Sequence, residues 1–300
     1  MSAWLISLEG TDAGRTLALC LALLAAVLHA VFGAMQKGRV DPWTTRASID
    51  VSYGLMALPF ALFVVPWPEP HMWPIFAGVV VIHLGYKYAQ ASAYAAGGYT
   101  VVYPVVRGLG PFFTVIAAGF FFGETFTGAQ WAGVATLMAG IFGLAVYNLI
   151  FQDIQRDTLP RALTFAVITG AFVALYTTYD AYGIRSTADP FTFLAWFFLV
   201  DSFTMPLLRW LAPPAGARPA PLRDMIRVGV PGALVAIFSF GSILLATRLD
   251  KVGEAAVLRE TSVVFAALIG WVFLGEKAGP RRLALMGLIG AGAVIVELGG

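Results

Sequence analysis

Long apolar segments fill this chain of 300 residues, and ten of them are long enough to cross a membrane. A helical span needs about 20 predominantly apolar residues to cross about 30 Å of hydrocarbon. We predict spans near residues 15–37, 46–66, 73–95, 100–122, 128–150, 160–184, 190–212, 223–247, 253–274 and 281–298. Because the runs are continuous, whereas barrel strands alternate over about 10 residues, the chain is predicted to be an all-α integral membrane protein with ten transmembrane helices.

Composition excludes a soluble domain, since 59% of residues are hydrophobic, 12% are charged and the mean hydropathy is +0.80. The lipid bilayer is therefore an expected partner. The net charge of +2 requires no nucleic-acid partner, because most Lys and Arg residues gather in the connections on one side of the predicted spans.

The second five segments repeat the first five at a nearly constant offset of 152 residues. Matching positions are Gly123-Glu124 and Gly275-Glu276, Arg107 and Arg259, and Gly140 and Gly292. Because five is odd, the second half must cross the membrane in the opposite sense. We therefore expect one five-helix repeat at 1–151, a linker at 152–160 and an inverted repeat at 161–300, with a binding site near the bilayer midplane.

Polar side chains inside apolar spans are costly, so they indicate a cavity or a transport pathway. The third predicted span carries polar residues at spacings of 4, 3 and 4, which places them on one helical face. Similar stripes occur in the first and fourth spans, and further polar or tyrosine side chains occur in the sixth and eighth. The predicted substrate-binding residues are His29, Gln36, His83, Lys87, Gln90, Tyr94, Tyr99, Tyr103, Arg107, Tyr176, Tyr179, Ser239, Ser242 and Arg259. Helix packing is the alternative role for each stripe.

Arg107 and Arg259 occupy equivalent positions in the two repeats, and inversion would place them near opposite mouths of the protein. A guanidinium at that depth could hold a substrate carboxylate with two hydrogen bonds, or could close a gate by pairing with Glu260 or Asp180. Snorkelling of the side chain to the lipid headgroups is the alternative.

Asp180 and Asp201 are the carboxylates that lie deepest in the predicted spans, and they are candidates for proton coupling. Pairing with a basic side chain for structural reasons is the alternative. Pro59 and Pro206 lie in matching spans and are candidate hinges, because proline removes one helical hydrogen bond. Glu124 and Glu276 are expected to anchor turns.

Nothing in the sequence indicates an enzyme. The three histidines have no metal-binding spacing, no glycine loop precedes a helix to hold phosphate, and no Ser-His-Asp set is discernible. Neither a cofactor nor a metal is expected.

Two five-span halves, each with a run of small residues and a Gly-Glu pair ending its fourth helix, resemble the drug/metabolite transporter superfamily. The likeness is to its EamA-type bacterial exporters, which include an exporter of aromatic amino acids. The resemblance implies a multi-pass protein of the bacterial inner membrane that exports amino acids or related small metabolites. It also implies cytoplasmic termini, whereas twelve Lys and Arg residues on one face against four on the other favour termini outside.

Three other functions stay open at this point. One is transport of phosphorylated metabolites, one is drug export, and one is a membrane assembly subunit that transports nothing. The sequence does not determine the oligomeric state, and a monomer is compatible with it.

Overall fold

The computed structural model describes residues 2–35, 42–96, 99–151, 157–211, 220–274 and 279–300. Within these residues the chain is helical, and no strand occurs among them. The helices are α1 (Ser2–Ser7), α2 (Asp12–Met35), α3 (Pro42–Phe63), α4 (Met72–Ala96), α5 (Tyr99–Phe122), α6 (Gly128–Phe151), α7 (Leu159–Ser186), α8 (Pro190–Asp201), α9 (Thr204–Leu211), α10 (Leu222–Leu249), α11 (Val252–Arg259), α12 (Ser262–Leu274) and α13 (Pro280–Leu298).

Each of the ten predicted spans coincides with a helix or with two successive helices. The short helix α1 was not predicted, and neither were the interruptions between α8 and α9 and between α11 and α12. Within the described residues, six segments are long and apolar enough to cross a membrane: Asp12–Gly33, Val105–Phe122, Gly128–Tyr147, Leu159–Ser186, Pro190–Leu211 and Leu222–Leu249.

The other predicted spans are helical but shorter or more polar. Helix α3 carries Arg46 and Asp50, α13 begins with Arg281 and Arg282 close to its first residue, and α11 is 8 residues long. The ten-span arrangement in the membrane therefore stays a prediction.

The start of α8 shows why a recurring Asp-Pro pair marks a helix boundary. The Asp189 carboxylate accepts hydrogen bonds from the backbone N–H of Phe191 at 2.8 Å and of Thr192 at 3.2 Å. Pro190 occupies the first helical position, where its missing N–H would have no partner in the helix. Helix α3 begins in the same manner at Pro42, whereas Asp41 lies outside the described residues.

The chain divides into two compact units. Unit 1 comprises Met1–Leu84 and Tyr179–Asp250, and unit 2 comprises Gly85–Thr178 and Lys251–Gly300. Each unit therefore contains residues from both predicted sequence repeats. A compact unit is a different division of the chain from a repeat, so the repeat boundaries at 1–151 and 161–300 stay a prediction.

In unit 1, α10 packs against α2 and α3, and α3 packs against α8 and α9. The core between them is rich in aromatic side chains, among them Tyr53, Phe193 and Phe197, each at most 2% exposed. At Gly54 the helices approach so closely that an added Cβ would lie 2.4 Å from the Cβ of Ser202. Glycine at this position therefore lets α3 contact the interruption between α8 and α9.

In unit 2, α5 packs against α6 and α11, and α6 packs against α13. The crossing of α6 and α13 depends on glycine, since a Cβ at Gly292 would lie 2.5 Å from the backbone nitrogen of Leu137. Gly140, its predicted repeat mate, lies at the same crossing, where a Cβ would be 2.8 Å from the carbonyl oxygen of Leu285. Small residues let these two helices pack backbone to backbone.

Glu124 has the anchoring role that the sequence predicted. Its carboxylate accepts the backbone N–H of Val252 at 2.7 Å and of Gly253 at 3.0 Å, which are the first N–H groups of α11. A carboxylate at a helix N-terminus satisfies donors that lack a partner within the helix. Gly275 and Glu276 lie outside the described residues.

Candidate functional site

Unit 1 contains a buried cluster of polar side chains around Asp201, the last residue of α8. The Tyr53 hydroxyl donates to Asp201 Oδ2, and the Thr204 hydroxyl lies 3.1 Å from Oδ1 as a second donor. His83 Nδ1 lies 3.1 Å from the same Oδ1. Three elements in addition to α8 therefore supply partners to one carboxylate, namely α3, α4 and α9.

His83 joins this carboxylate to a second one. Its Nε2 lies 3.0 Å from Oδ2 of Asp180 on α7, so both ring nitrogens face carboxylate oxygens. The ring is also packed edge-on by Phe197 at 5.3 Å and Phe240 at 6.1 Å between ring centroids. His83, Asp180 and Asp201 are at most 5% exposed, so their charges interact with one another with little screening by bulk water.

Unit 2 contains a second buried cluster, in which the charge balance is reversed. Arg107 Nε lies 2.8 Å from Glu260 Oε2, and an Arg107 terminal nitrogen donates to Ser262 Oγ at 2.7 Å. Arg259 lies on the other side of this carboxylate, with its Nε 3.8 Å from Glu260 Oε1. Two guanidinium groups thus face one carboxylate, so these three described groups together carry one positive charge.

The two cations differ in how tightly they are held. Arg107 makes a close ion pair with Glu260 and donates to Ser262 through a terminal nitrogen, whereas the Arg259 contact with Glu260 is longer than a hydrogen bond. Neither Nε has hydrogen-bond geometry to an acceptor among the described residues. Arg259 is nevertheless only 4% exposed. A buried guanidinium with donor capacity to spare can bind an anionic group.

The expectation that Arg107 and Arg259 lie near opposite mouths was wrong. Both lie within 4 Å of Glu260, as the two ion-pair distances of 2.8 and 3.8 Å show. The physical reason is depth: Arg107 and Arg259 lie about 12 Å along their helices from the first residue, which is close to the middle of a hydrocarbon core about 30 Å thick. The alternative prediction, that Arg107 pairs with Glu260, is confirmed.

Both acidic residues lie where a helix is interrupted. Helix α8 ends at Asp201 and α9 begins at Thr204, while α11 ends just before Glu260 and α12 begins at Ser262. Hydrogen bonds to the third preceding residue close each turn, from Phe203 N to Val200 O at 3.4 Å and from Glu260 N to Val257 O at 3.0 Å. Interrupted helices whose ends face a ligand are a recurring feature of transporter binding sites.

Other predicted binding residues lie in unit 2. Tyr176 is buried and meets the ring of Tyr86 edge-on at 4.9 Å, and Gln90 Nε2 donates to the Tyr86 hydroxyl at 2.7 Å. Lys87 is buried on α4 and Tyr94 is partly buried about two turns further along. The predicted stripe on α4 is therefore divided, with His83 in unit 1 and its other members in unit 2.

The remaining predicted residues of unit 1 lie on α2, α7 and α10. Ser239 donates to the carbonyl oxygen of Ala25 at 3.0 Å, so its hydroxyl joins α10 to α2. Ser242 is also buried on α10, whereas His29 on α2 and Tyr179 on α7 are partly exposed.

Three predicted binding residues have no described side chain. Gln36 lies outside the described residues, and Tyr99 and Tyr103 lie in α5 without a described side chain. Of the predicted hinges, Pro59 lies inside α3 and Pro206 is the third residue of α9, directly after the interruption. Their role as hinges stays a prediction.

Tyr53, Thr204 and Ser262 complete the clusters, and the sequence analysis did not find them. A usable signal existed for Tyr53, which precedes its partner Asp201 by 148 residues. The same offset separates the two Asp-Pro pairs that mark equivalent points of the repeats, Asp41 and Asp189. Tyr53 and Asp201 thus contact each other and have the same offset as the Asp-Pro pairs of the two predicted repeats.

Known proteins resemble this chain in sequence and in fold. The sequence model of the EamA-like transporter family matches residues 16–146 and again residues 160–298. A crystal structure described only as "Crystal structure of protein" has the same fold, with a TM-score of 0.77 at 19% identity, over 95% of this chain and 98% of that one.

A curated relative is the "Uncharacterized protein y4nH" of Sinorhizobium fredii (strain NBRC 101917 / NGR234), which is 38% identical over 100 residues. The shared stretch is 33% of this chain and 75% of that protein. The two family matches cover most of the sequence and fall one in each half, on apolar helices of membrane-spanning length. This chain therefore belongs to the EamA-like transporter family, whose members carry small molecules across membranes.

Proposed function

We propose that this chain is a secondary transporter that exports amino acids or related small metabolites across the bacterial inner membrane by alternating access. In this proposal its ten spans form two inverted halves, at 1–151 and 161–300. Support comes from the separate family match in each half. Further support comes from helix packing in unit 2, where the fourth and ninth spans (α5 and α11) pack together, as do the fifth and tenth (α6 and α13).

The positive excess around Glu260 is the observation that carries the substrate class. The Nε of Arg107 lies 2.8 Å from Glu260, whereas the Nε of Arg259 lies 3.8 Å from it and has no hydrogen-bond acceptor among the described residues. A carboxylate at Arg259 would complete the charge balance of this cluster. Guanidinium groups hold carboxylates with paired hydrogen bonds, and burial strengthens such contacts because water does not compete for them.

The net positive charge of Arg107, Arg259 and Glu260 favours a carboxylate substrate over a phosphate ester. A phosphate monoester carries a charge of about −1.5 to −2, so the net charge of about +1 on Arg107, Arg259 and Glu260 would leave it undercompensated unless Lys87 also contacted it. A carboxylate carries −1 and balances the cluster. We therefore place amino acids ahead of phosphorylated metabolites.

Aromatic side chains of unit 2 would accommodate an apolar substrate side chain. Tyr86 and Tyr176 offer ring faces together with hydroxyl groups, and Gln90 adds an amide beside them. The other predicted residues of α4 and α5 in this unit, Lys87, Tyr94, Tyr99 and Tyr103, are proposed as further substrate contacts.

The test is transport by proteoliposomes with Arg259→Ala, and with Arg161→Ala as the matched control. Arg161 is an exposed arginine of the same unit that lies 5.9 Å from the Phe165 ring, away from Glu260. Losing a charge-assisted contact of about 1.5–3 kcal/mol lowers uptake at subsaturating substrate by about tenfold or more. Radiolabelled amino acids and the corresponding amino-acid amides, which lack the carboxylate charge, are compared.

Wild-type protein should move amino acids in preference to their amides, and Arg259→Ala should lose that preference while Arg161→Ala keeps it. An equal loss for acids and amides would contradict carboxylate binding at Arg259. Phosphate esters and cationic dyes are offered in parallel, because movement of either class instead of amino acids would favour the corresponding alternative transporter. No saturable movement of any compound would favour an assembly subunit.

A further inference from the structure

An exposed stripe of side chains runs along α10 in unit 1. The first two turns of this helix carry two exposed arginines, Arg223 and Arg227. Three exposed apolar side chains follow further along, Val230, Leu234 and Phe238. Successive members are 4, 3, 4 and 4 residues apart, and an α-helix makes one turn in about 3.6 residues, so all five share one face. Two cations are therefore followed in line by three apolar groups.

The packing of α10 explains why this stripe is exposed. The helix packs against α2 and α3, and its glycines lie on the packed side. An added Cβ would lie 2.6 Å from Ser52 Oγ at Gly229 and 2.7 Å from Ile49 Cδ1 at Gly232. Contact with α3 thus uses the side of α10 opposite the stripe, which leaves the stripe open to a partner outside the protein.

The length of the stripe matches one leaflet of a bilayer. The segment Leu222–Leu249 is long and apolar enough to cross a membrane, so its exposed apolar side chains face lipid. Phe238 lies 11 residues beyond Arg227, which is about 16 Å along the helix axis. Half of a hydrocarbon core about 30 Å thick is about 15 Å. A lipid whose headgroup contacts Arg227 therefore has acyl chains long enough to lie along the apolar part of the stripe.

The charges at the start of the stripe favour an anionic headgroup. Arg223 and Arg227 lie about one turn apart, where two like charges repel each other and an anion between them relieves the repulsion. A terminal nitrogen of Arg227 also lies 3.9 Å from Asp224 Oδ1, but both side chains are exposed, so this ion pair contributes little. Guanidinium groups bind phosphate oxygens with paired hydrogen bonds. Two of them at headgroup level fit the phosphate of a phospholipid.

We propose that this stripe binds one anionic phospholipid. Arg223 and Arg227 hold its phosphate group, and an acyl chain lies along Val230, Leu234 and Phe238. A second copy of the chain fits this face less well, because two copies in the same membrane orientation would bring four arginines to one level. The inference concerns a lipid site on the outer face of unit 1 and does not depend on the proposed transport function.

The test measures lipid binding to the full chain, purified in detergent, by native mass spectrometry. Phosphatidylglycerol is the anionic probe, and phosphatidylcholine with the same acyl chains is the zwitterionic one. Glycerol 3-phosphate supplies the headgroup chemistry without acyl chains. The double variant Arg223→Ala/Arg227→Ala is compared with Arg161→Ala, which removes an exposed arginine from the first turn of α7. Arg223→Lys/Arg227→Lys keeps the two charges.

Wild-type protein should bind phosphatidylglycerol about tenfold or more tightly than phosphatidylcholine. The double alanine variant should lose this preference, since each basic residue at a membrane surface strengthens binding of anionic lipid about fivefold. Arg161→Ala should keep the preference within about twofold, and the lysine variant should keep most of it. All four proteins should bind glycerol 3-phosphate far more weakly than the lipid.

Each contrary result overturns a stated part of the proposal. Equal binding of the two lipids by wild type would exclude an anionic-lipid site, and an equal loss in Arg161→Ala would exclude its assignment to α10. Glycerol 3-phosphate binding as tight as that of the lipid would exclude the apolar part of the stripe. A change of oligomeric mass in the double alanine variant, with lipid binding unchanged, would identify the face as an interface between copies.

A measurement on wild type alone decides the matter if the double alanine variant does not fold. Protein in phosphatidylcholine vesicles is given spin-labelled phosphatidylglycerol, and electron paramagnetic resonance measures the immobilised fraction against that of spin-labelled phosphatidylcholine. The excess of immobilised phosphatidylglycerol should fall between about 0.1 and 1 M salt, because the screening length shortens from about 10 to about 3 Å. Absence of an excess at low salt, or an excess that salt leaves unchanged, would overturn the proposal.

Discussion

A helix is interrupted at a buried acid in each unit, between α8 and α9 in unit 1 and between α11 and α12 in unit 2. The two acids differ in the side chains that face them. Each places a buried acid at the turn, Asp201 in the first and Glu260 in the second. Asp201 shares one imidazole with a second carboxylate, so two acids face one base in these described contacts. Glu260 is shared by two guanidinium groups, so its cluster has a basic excess.

The backbone at the two turns is held in a similar way. Ser202 donates its hydroxyl to the carbonyl oxygen of Leu199 at 2.6 Å, and Thr261 donates to that of Leu258 at 2.7 Å. In both turns a hydroxyl thus satisfies a carbonyl near the end of the first segment. The difference between the clusters therefore comes from the side chains that face each acid, and not from the backbone of the turns.

Removing the acid from each turn should have unequal effects. Glu260→Gln removes the carboxylate that Arg107 and Arg259 both face, and breaking a buried pair costs about 3–5 kcal/mol. Asp201→Asn keeps an oxygen that can accept from Tyr53 and leaves His83 with Asp180, so we expect a loss below about 2 kcal/mol. Thermal unfolding of the purified proteins in detergent measures the difference.

Equal losses of unfolding free energy in Asp201→Asn and Glu260→Gln would contradict the inferred difference in charge between the two clusters. A double variant, Arg259→Ala with Glu260→Gln, tests the same difference more directly. That double variant returns the second cluster to the same net charge as wild type, so it should recover part of the stability lost in Glu260→Gln alone.

Hydroxyl groups at the two clusters offer a smaller contrast. Tyr53→Phe removes a donor to Asp201, and a hydrogen bond to a buried charged group contributes about 1.5–3 kcal/mol. Ser262→Ala removes a partner of Arg107, which keeps its ion pair with Glu260 at 2.8 Å, so the expected cost is about 1 kcal/mol. Unfolding midpoints of the two variants are compared with wild type, and a larger loss for Ser262→Ala would reverse the expected order.

Much of the helical framework was readable from the sequence, because long apolar runs leave a membrane chain few alternatives to helices. The boundary signals were local and therefore reliable: Asp189-Pro190 starts α8, and Glu124 lies just past the end of α5 and binds the start of α11. Of the candidate site, His83, Asp180, Asp201, Arg107 and Arg259 were all named, since each is a costly polar group within an apolar run.

Which of these residues contact one another was harder to predict from the sequence. The interruption at Thr261 lies inside an apolar run with no glycine or proline at the turn, so periodicity passes through it unchanged. At the other interruption Pro206, four residues after Ser202, lacks the N–H that would bond to the Ser202 carbonyl, and the sequence analysis interpreted it only as a hinge. The contact between Arg107 and Glu260 joins residues 153 apart along the chain, and no local pattern encodes such a distance. Tyr53 resembled an ordinary span residue until the 148-residue offset to Asp201 was seen as a contact.

The smallest predicted effect concerns the carboxylate that accepts hydrogen bonds at the start of each interrupted helix. Glu124 accepts N–H groups at the start of α11, while Glu69, in the connection before α4, accepts the Ala188 N–H at 3.0 Å and the Thr187 hydroxyl at 3.3 Å just before α8. The hydrogen bond from the Ala188 backbone is the main reason that the pKa of Glu69 is lowered from its ordinary value of 4.5. Proton binding to this carboxylate therefore opposes folding.

A lowered pKa in the folded protein means that the stabilisation is complete above the ordinary value of 4.5 and is lost as the pH falls through the lower, folded value. Glu69→Gln should thus lower the unfolding midpoint slightly at neutral pH, and the gap to wild type should close on acidification below about pH 4.5. The shift is small because Glu69 is partly exposed and water screens its contacts. Unfolding scans of both proteins across this range provide the measurement, and a gap that widened toward acid would show that Glu69 does not hold the start of α8 as a carboxylate.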